Sequence, residues 1–325
     1  MTRRWLRLCG LWVGLWLCGC RSVDVAALDA KADAAQPADL AQAQPADDGA
    51  VPRGDLRAVT FNTHLFFDLV CDSGRCGPTD FEQVPSAQAF AEKADAVALA
   101  VRRLSGDVVA LQEIENQSAL DAIWGRLRDV YPTAVLGETG LPASIDVAVL
   151  SRGTLLEVRR HHDRVLTRPD GTKTTFSREL LEVHVDLRGQ RLVMFAAHFR
   201  SKSSDDPGRR LAEAQATADI VSQTAKEFPL AVIILGGDLN DTPGSPPLTA
   251  LESVASLQRV AKDRPLSSCA TYFWNGELQA IDHLFVWQNA RVGYVAASAN
   301  AQHDATRFGL AGSDHAALLA DFALH

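Results

Sequence analysis

Apolar residues gather into short runs, each ended by a polar or charged side chain. Residues 56–62, 107–113, 145–150, 178–186, 191–198, 230–236, 280–287 and 315–322 are rich in Val, Leu, Ile and Phe and read as strands. Some alternate apolar and polar positions, as Leu180 to Val185 does, whereas Val232-Ile-Ile-Leu235 is apolar throughout. A strand buried on one face alternates and a strand buried on both does not, so this mixture predicts an α/β fold of two packed sheets covered by helices. Two stretches carry the helical period instead. Phe90, Ala94, Val97, Val101 and Leu104 share one helical face, with Ser86 placed to cap the N-terminus, and residues 211–228 behave similarly.

The first nineteen residues obey a different pattern. Arg3, Arg4 and Arg7 precede an uncharged apolar run from Leu8 to Leu17, which is far shorter than the ~20 residues a spanning helix needs. This reads as a signal peptide over residues 1–19. The ending Leu17-Cys-Gly-Cys20 resembles a bacterial lipobox, which implies cleavage before Cys20 and lipidation of its thiol. Residues 20–55 follow as an Ala-, Asp- and Pro-rich stretch without an aromatic residue, too poor in apolar surface to fold, and read as a tether. The folded domain is then 56–325, and the expected location is a bacterial cell envelope, lipid-anchored or secreted. Membrane contact is expected through the N-terminal lipid alone, with no protein partner and a monomeric chain.

The formal charge of the whole chain is −8, so no global field attracts a polyanion. Three cysteines remain in the domain. Cys71 and Cys76 flank a turn containing Gly74, and in an oxidising compartment a local disulfide between them is expected. Cys269 reads as a buried strand residue.

Polar residues of interest stand at strand ends. Asn62 ends one run, Gln112 and Glu113 another, and His198 a third; Asp238 and Asn240 follow Val232-Ile-Ile-Leu-Gly-Gly, Asp282 and His283 lie within a run, and Ser313-Asp314-His315 open the last. One such carboxylate is ordinarily a cap or turn residue. Six groups together point to a site, because strand ends of rigid sheets converge on a small volume. Hard oxygen donors suit Mg²⁺ or Mn²⁺, with Ca²⁺ an alternative, and the scattered histidines do not make a zinc cage. No Gly-rich phosphate loop and no Gly-x-Ser-x-Gly elbow occurs, which counts against a nucleotide-driven motor and a serine hydrolase.

Thr60-Phe-Asn62, Leu111-Gln-Glu113, Val147-Ala-Val-Leu-Ser-Arg152, His198, Leu235-Gly-Gly-Asp-Leu-Asn-Asp241, Ile281-Asp-His283 and Ser313-Asp-His315 together resemble the endonuclease/exonuclease/phosphatase superfamily. The resemblance implies a four-layer αββα sandwich of two mixed β-sheets flanked by helices, with the site at the sheet edges. It also implies metal ligation by Asn62 and Glu113, alignment of water and phosphate by Asp238 and Asn240, and phosphoryl contact or proton transfer by His198 and by His315, the latter oriented by Asp282 or supported by Asp314. Which carboxylate acts as base stays open between Asp238 and the Asp282/His315 pair.

Substrate is read from local sequence. Arg200, Lys202, Arg209 and Arg210 follow His198, and a basic rim there would hold backbone phosphates. Phe199-Arg-Ser-Lys202 and Gly236-Gly-Asp-Leu-Asn-Asp-Thr-Pro243 resemble segments of bacterial extracellular nucleases, which makes a nuclease with a nucleic-acid substrate the leading expectation. Arg178 resembles a phosphate-side arginine of the family, and reads equally well as a surface ion-pair residue. A phosphodiesterase or phosphatase for phospholipid headgroups or other small phosphoesters is the alternative. Phe273, Trp274 and Trp287 near Asp282 favour it, and the lack of an evident exposed apolar hairpin counts against it. The third reading is an inactive binding module on the same fold.

Overall fold

Strand β1 (Leu56–Phe66) buries both faces, sending Ala58 into one apolar cluster and Val59 and Phe61 into another. Such a strand needs a layer on each side, and the computed structural model, which describes residues 53–325, supplies both. The first sheet runs β15 (Val292–Tyr294), β17 (Ala317–Leu324), β1, β2 (Val108–Ile114), β4 (Asp146–Ser151) and β3 (Thr133–Gly137), with β16 (Asn300–Gln302) pairing with β17. The second runs β11 (Leu257–Arg259), β14 (Asp282–Trp287), β10 (Val232–Asp238), β9 (Gln190–His198), β8 (Leu181–Leu187) and β5 (Thr154–Arg160). Two hairpins lie outside them, β6–β7 (Leu166–Thr167 and Lys173–Thr174) and β12–β13 (Tyr272–Trp274 and Glu277–Gln279).

Each sheet has one parallel pair, β1 with β2 and β9 with β10. Parallel neighbours need a long crossover, and each crossover is the helix that covers that sheet. Helix α1 (Ala87–Leu104) joins β1 to β2, and with α2 (Gln117–Trp124) buries Val97, Val101 and Ile123 against Val59, Phe61, Val109 and Leu111. Helix α3 (Pro207–Glu227) joins β9 to β10 and, with α4 (Pro246–Glu252), covers Ile233 and Leu235. Between the sheets lie Ala58, Val108, Val147, Met194, Ile234 and Leu284. The result is the expected four-layer sandwich.

Local signals explain most boundaries. The Ser86 hydroxyl accepts from the Ala89 amide and caps α1 as expected. Helix α3 begins before residue 211, because Asp206 accepts from the Arg209 amide and Pro207 occupies the first turn, where a missing N–H is harmless. Strand β8 starts at Leu181, leaving Arg178 in the preceding loop, and β17 starts at Ala317, leaving His315 in an isolated bridge to Tyr272. Cys269 sits in the short helix α5 (Leu266–Cys269), a correction to the strand reading, and its thiol donates to the Pro265 carbonyl. The Cys71–Cys76 disulfide is formed. Cys20, the signal peptide and nearly all of the tether fall outside the described residues.

A buried carboxylate pins α3 to the second sheet. Glu182 on β8 accepts from His184 Nε2 (2.7 Å), His161 Nε2 (2.8 Å) and Thr224 Oγ1 of α3 (2.9 Å), with Arg159 of β5 3.6 Å away. Burial alone would raise its pKa. The three hydrogen bonds and the charge of His184 outweigh burial and hold it down from 4.5 to about 2. The other ionisable groups at this corner are Glu157, Arg191 and Glu227. A folded-state pKa below the unfolded value gives stability that is present above pH 4.5 and lost as pH falls towards 2. Glu182→Gln should therefore flatten the fall of Tm across that window, measured by thermal unfolding against pH. An acid limb identical to that of the wild type would refute this role.

Candidate active site

At the open edge of the sandwich three strands of the second sheet place polar residues in one row. His198 ends β9, Asp238 ends β10 and Asp282 opens β14, and the ladders pair Asp238 with both neighbours. Two glycines make this row possible. A Cβ on Gly236 would lie 2.8 Å from Met194 and 2.9 Å from Leu284, and one on Gly237 would lie 2.1 Å from the Ala197 carbonyl oxygen. From the facing sheet Asn62 crosses the gap, its Nδ2 donating to Glu113 Oε1 (3.1 Å) and Asp238 Oδ2 (3.2 Å). Its own oxygen accepts from the His64 amide.

Glu113 lies one residue inside β2, at a bulge. Gln112 pairs with Val147 and Ile114 with Asp146, so Glu113 has no partner in that ladder, and its φ is +64°. A bulge aims its extra side chain out of the normal alternation, here into the gap between the sheets. The facing part of β1 is also irregular. His64 and Leu65 both have positive φ, and the Leu65 amide donates to Glu113 Oε2 at 2.7 Å. Lys93 of α1 holds this turn through the carbonyls of His64 and Leu65. Burial lowers the lysine pKa, against the charges of Glu113 and Asp314.

The two histidines have opposite electrostatic fates. His198 is buried, with Nε2 3.6 Å from Asp238 Oδ2 and Nδ1 without a hydrogen-bond partner. Burial, then the charges of Arg178 and His315, push its pKa well below the usual value, so it is neutral at pH 7. His315 is equally enclosed, but Asp282 Oδ2 lies 2.8 Å from its Nδ1. Burial lowers its pKa, while the charge and hydrogen bond of Asp282 and the charges of Asp238 and Asp314 prevail and raise it to about 10. Asp238 is pushed up to about 7 by burial and by Asp282, against His315 and the Asn240 amide. Asp314 does not join the pair. It turns outward to His64 Nδ1 at 2.9 Å and acts on His315 through its charge, so Asp282 is the carboxylate hydrogen-bonded to the ring.

The basic residues divide in a way their spacing does not reveal. Arg210 is buried against Asp241 and Asp205, and Arg209 donates to the carbonyls of Thr175 and Phe176. Both secure α3, which removes them from the expected phosphate rim. Lys202 Nζ binds Asp241 at 2.9 Å with about half its side chain exposed. Arg178 is no surface ion-pair residue. Its guanidinium donates to the Phe199 carbonyl, which also accepts from Asn240 Nδ2, and burial lowers its pKa against the charges of Glu113, Glu213 and Asp238. Glu213 of α3 fixes the flanking loops by accepting from Ser177 and the Arg200 amide. His283, with its pKa lowered to about 4 by burial, braces the Asp241 carbonyl.

Tyr272 and Lys93 contribute although the strand-end pattern does not mark them, and Ser313 of the Ser-Asp-His segment joins them. Tyr272 lies against His315 with ring centroids 4.8 Å apart, and Ser313 links the His315 amide to the Asn62 carbonyl. Lys93 carried a signal, since it stands three residues after Phe90 on the buried stripe of α1. Tyr272 carried none, being an ordinary hairpin residue until the chain folds.

The sequence profile described as the Endonuclease/Exonuclease/phosphatase family matches residues 59–315. No curated protein sequence matches. Solved structures with this fold include truncated Caenorhabditis elegans TDP2 (TM-score 0.58, 15% identity, covering 83% of this chain and 97% of that one). The human Nocturnin catalytic domain aligns with TM-score 0.61 and 14% identity over 85% and 97% of the two chains. Beta toxin from Staphylococcus aureus gives 0.56 and 18% over 82% and 99%.

Asp282→Asn keeps the shape of the His315 support and removes the charge that keeps the ring protonated. Turnover of a phosphodiester should fall roughly 10²- to 10⁴-fold, with a much smaller change in KM. The alkaline limb of the pH profile should move to lower pH, because His315 then loses its proton earlier. Wild-type turnover with an unmoved limb would exclude the dyad.

Proposed function

The chain belongs to the endonuclease/exonuclease/phosphatase family, a family of metal-dependent phosphoester hydrolases, and on that premise we propose that it is an exported nuclease cleaving DNA or RNA. One observation carries the chemistry: Asp238, buried and raised to about 7, between the Asn62/Glu113 pair and the two histidines. The donor set fits a hard divalent cation, since the carboxylates of Glu113 and Asp238 converge on a single amide nitrogen at 3.1 and 3.2 Å. Glu113 and Asn62 would hold Mg²⁺ or Mn²⁺, the Asn62 amide turning to present the oxygen that here accepts from the His64 amide. Bound there, the cation would neutralise charge on the phosphoryl oxygens. Asp238, Asp282 and His315 also lie within 4.8 Å of one another, but the Asp282–His315 hydrogen bond commits that trio to handling protons.

The protein's own groups supply the remaining steps. Asp238 takes the proton of the attacking water, at a pKa near working pH. Protonated His315 donates from Nε2 to a phosphoryl oxygen as negative charge develops, and neutral His198 donates from Nε2 on the opposite side. Asn240 and Arg178, gathered on the Phe199 carbonyl, orient the phosphate. Arg200 and Lys202 continue this basic side outward and suit a phosphate backbone. D. rerio TDP2 has been crystallised with a single-strand DNA product, and a beta toxin variant with bound magnesium ions, on the same fold.

A second reading, phospholipid-headgroup hydrolysis, gains from the β12–β13 hairpin. The hairpin was not evident in the sequence, and it holds Trp274 56% exposed beside the site. Plasmid DNA, RNA, sphingomyelin vesicles and inositol phosphates compared with Mg²⁺ or Mn²⁺ separate the readings. Nucleic acid should be cleaved fastest, EDTA should abolish the reaction, and Glu113→Gln should raise the metal concentration required. Preferential turnover of vesicles would reject the nuclease, and inertness towards every phosphoester would leave a binding module. In the same preparation, intact mass should show a lipid-modified Cys20 as first residue; an unmodified start elsewhere rejects the anchor.

A further inference from the structure

On the outer side of the first sheet, away from Asp238, a cavity of about 1060 Å³ opens between α1, β16 and the loop 303–312. Its apolar wall comes from Leu99, Ala100, Leu104 and Leu310. Its charges are not balanced. Arg57 is engaged by both oxygens of Asp321 (2.7 and 2.9 Å), and Asp304 accepts from the Ala311 amide. Among the described residues Arg103 makes no hydrogen bond or ion pair through its side chain, and Arg264 Nε is buried without a partner. Two uncommitted guanidinium groups therefore line one partly apolar hollow.

We propose that this cavity is a second binding site, for a small organic anion with an apolar body, and that its occupancy changes turnover at His315. A guanidinium matches a carboxylate, phosphate or sulfonate through paired N–H donors, and the apolar wall would take the body of such a ligand. The volume suits a molecule of drug size.

Coupling follows from the loop that forms one wall. Leu310, Ala311 and Gly312 line the cavity and run directly into Ser313-Asp314-His315. The Leu310 amide donates to the His315 carbonyl at 2.9 Å, and the Ser313 amide donates to the Leu310 carbonyl at 3.0 Å. Gly309, with φ +107°, leaves no room for a Cβ, which would lie 2.0 Å from the Ser313 carbonyl oxygen. Cavity wall and histidine mount are thus one hydrogen-bonded unit. A ring contact adds a second link. His303, at the cavity, stacks on Phe308, which meets Phe273 of the hairpin whose Tyr272 packs on His315. A ligand that prefers one position of this loop biases the position of His315 in proportion to that preference.

The probe for the test is 8-anilinonaphthalene-1-sulfonate, titrated by fluorescence into the full chain and into Arg103→Glu/Arg264→Gln. Saturable binding of one probe per chain is expected, with Kd raised at least tenfold in the double variant. Saturating probe should change wild-type turnover of bis(p-nitrophenyl) phosphate at least twofold. The double variant should keep wild-type turnover without probe and show no response to it. Arg103→Glu alone, on the exposed side of α1, replaces the double variant if the latter does not fold. Equal affinity in variant and wild type would overturn the site, and binding without any change in turnover would overturn the coupling. The binding arm is independent of which phosphoester is the natural substrate.

Discussion

Everything at the edge of the sandwich is arranged around an almost wholly buried carboxylate. Isolated in a protein interior, such a charge costs several kcal/mol, more than a hydrogen bond or two returns. Asp238 is kept there by convergence: the Asn62 amide from the facing sheet, the Asn240 N–H from its own loop, and the charged ring of His315. The local irregularities serve the same end. Gly236 and Gly237 let neighbouring chains approach, the bulge at Glu113 turns a second carboxylate into the gap, and Lys93 secures the positive-φ turn opposite.

Two chemically identical side chains thereby acquire different jobs. The difference between His198 and His315 is a single partner. His315 has Asp282 against Nδ1 and holds its proton, whereas His198 Nδ1 has no partner and burial keeps the ring neutral. A charged donor, a neutral donor and a carboxylate with a raised pKa within one small space suit phosphoester hydrolysis, once a cation balances the added negative charge.

Much of this was legible in the sequence, for a physical reason. Strands buried on both faces announce themselves as continuous apolar runs, and a polar residue ending such a run must point somewhere special. That logic found Asn62, His198, Asp238, Asp282 and His315, and it located α1 through its cap. Spacing misled where it was read as charge, because Arg210 is buried on its helix and Arg209 is tied to the carbonyls of Thr175 and Phe176. Tyr272 and the β12–β13 hairpin were not legible there. Their importance is created by register and by contacts across more than thirty positions, Tyr272 to His315 above all.

Retention of Asp238 for chemistry at the expense of stability is directly testable. Asp238→Asn removes the buried charge, keeps an acceptor for the Asn240 amide, and can be measured by thermal unfolding and turnover on the same preparation without added metal and with it. Retention for chemistry predicts a metal-free Tm equal to or above that of the wild type, together with turnover reduced at least ~10²-fold in saturating Mg²⁺. A lower Tm with turnover preserved would mean that the carboxylate belongs to the fold and that the reaction is carried elsewhere.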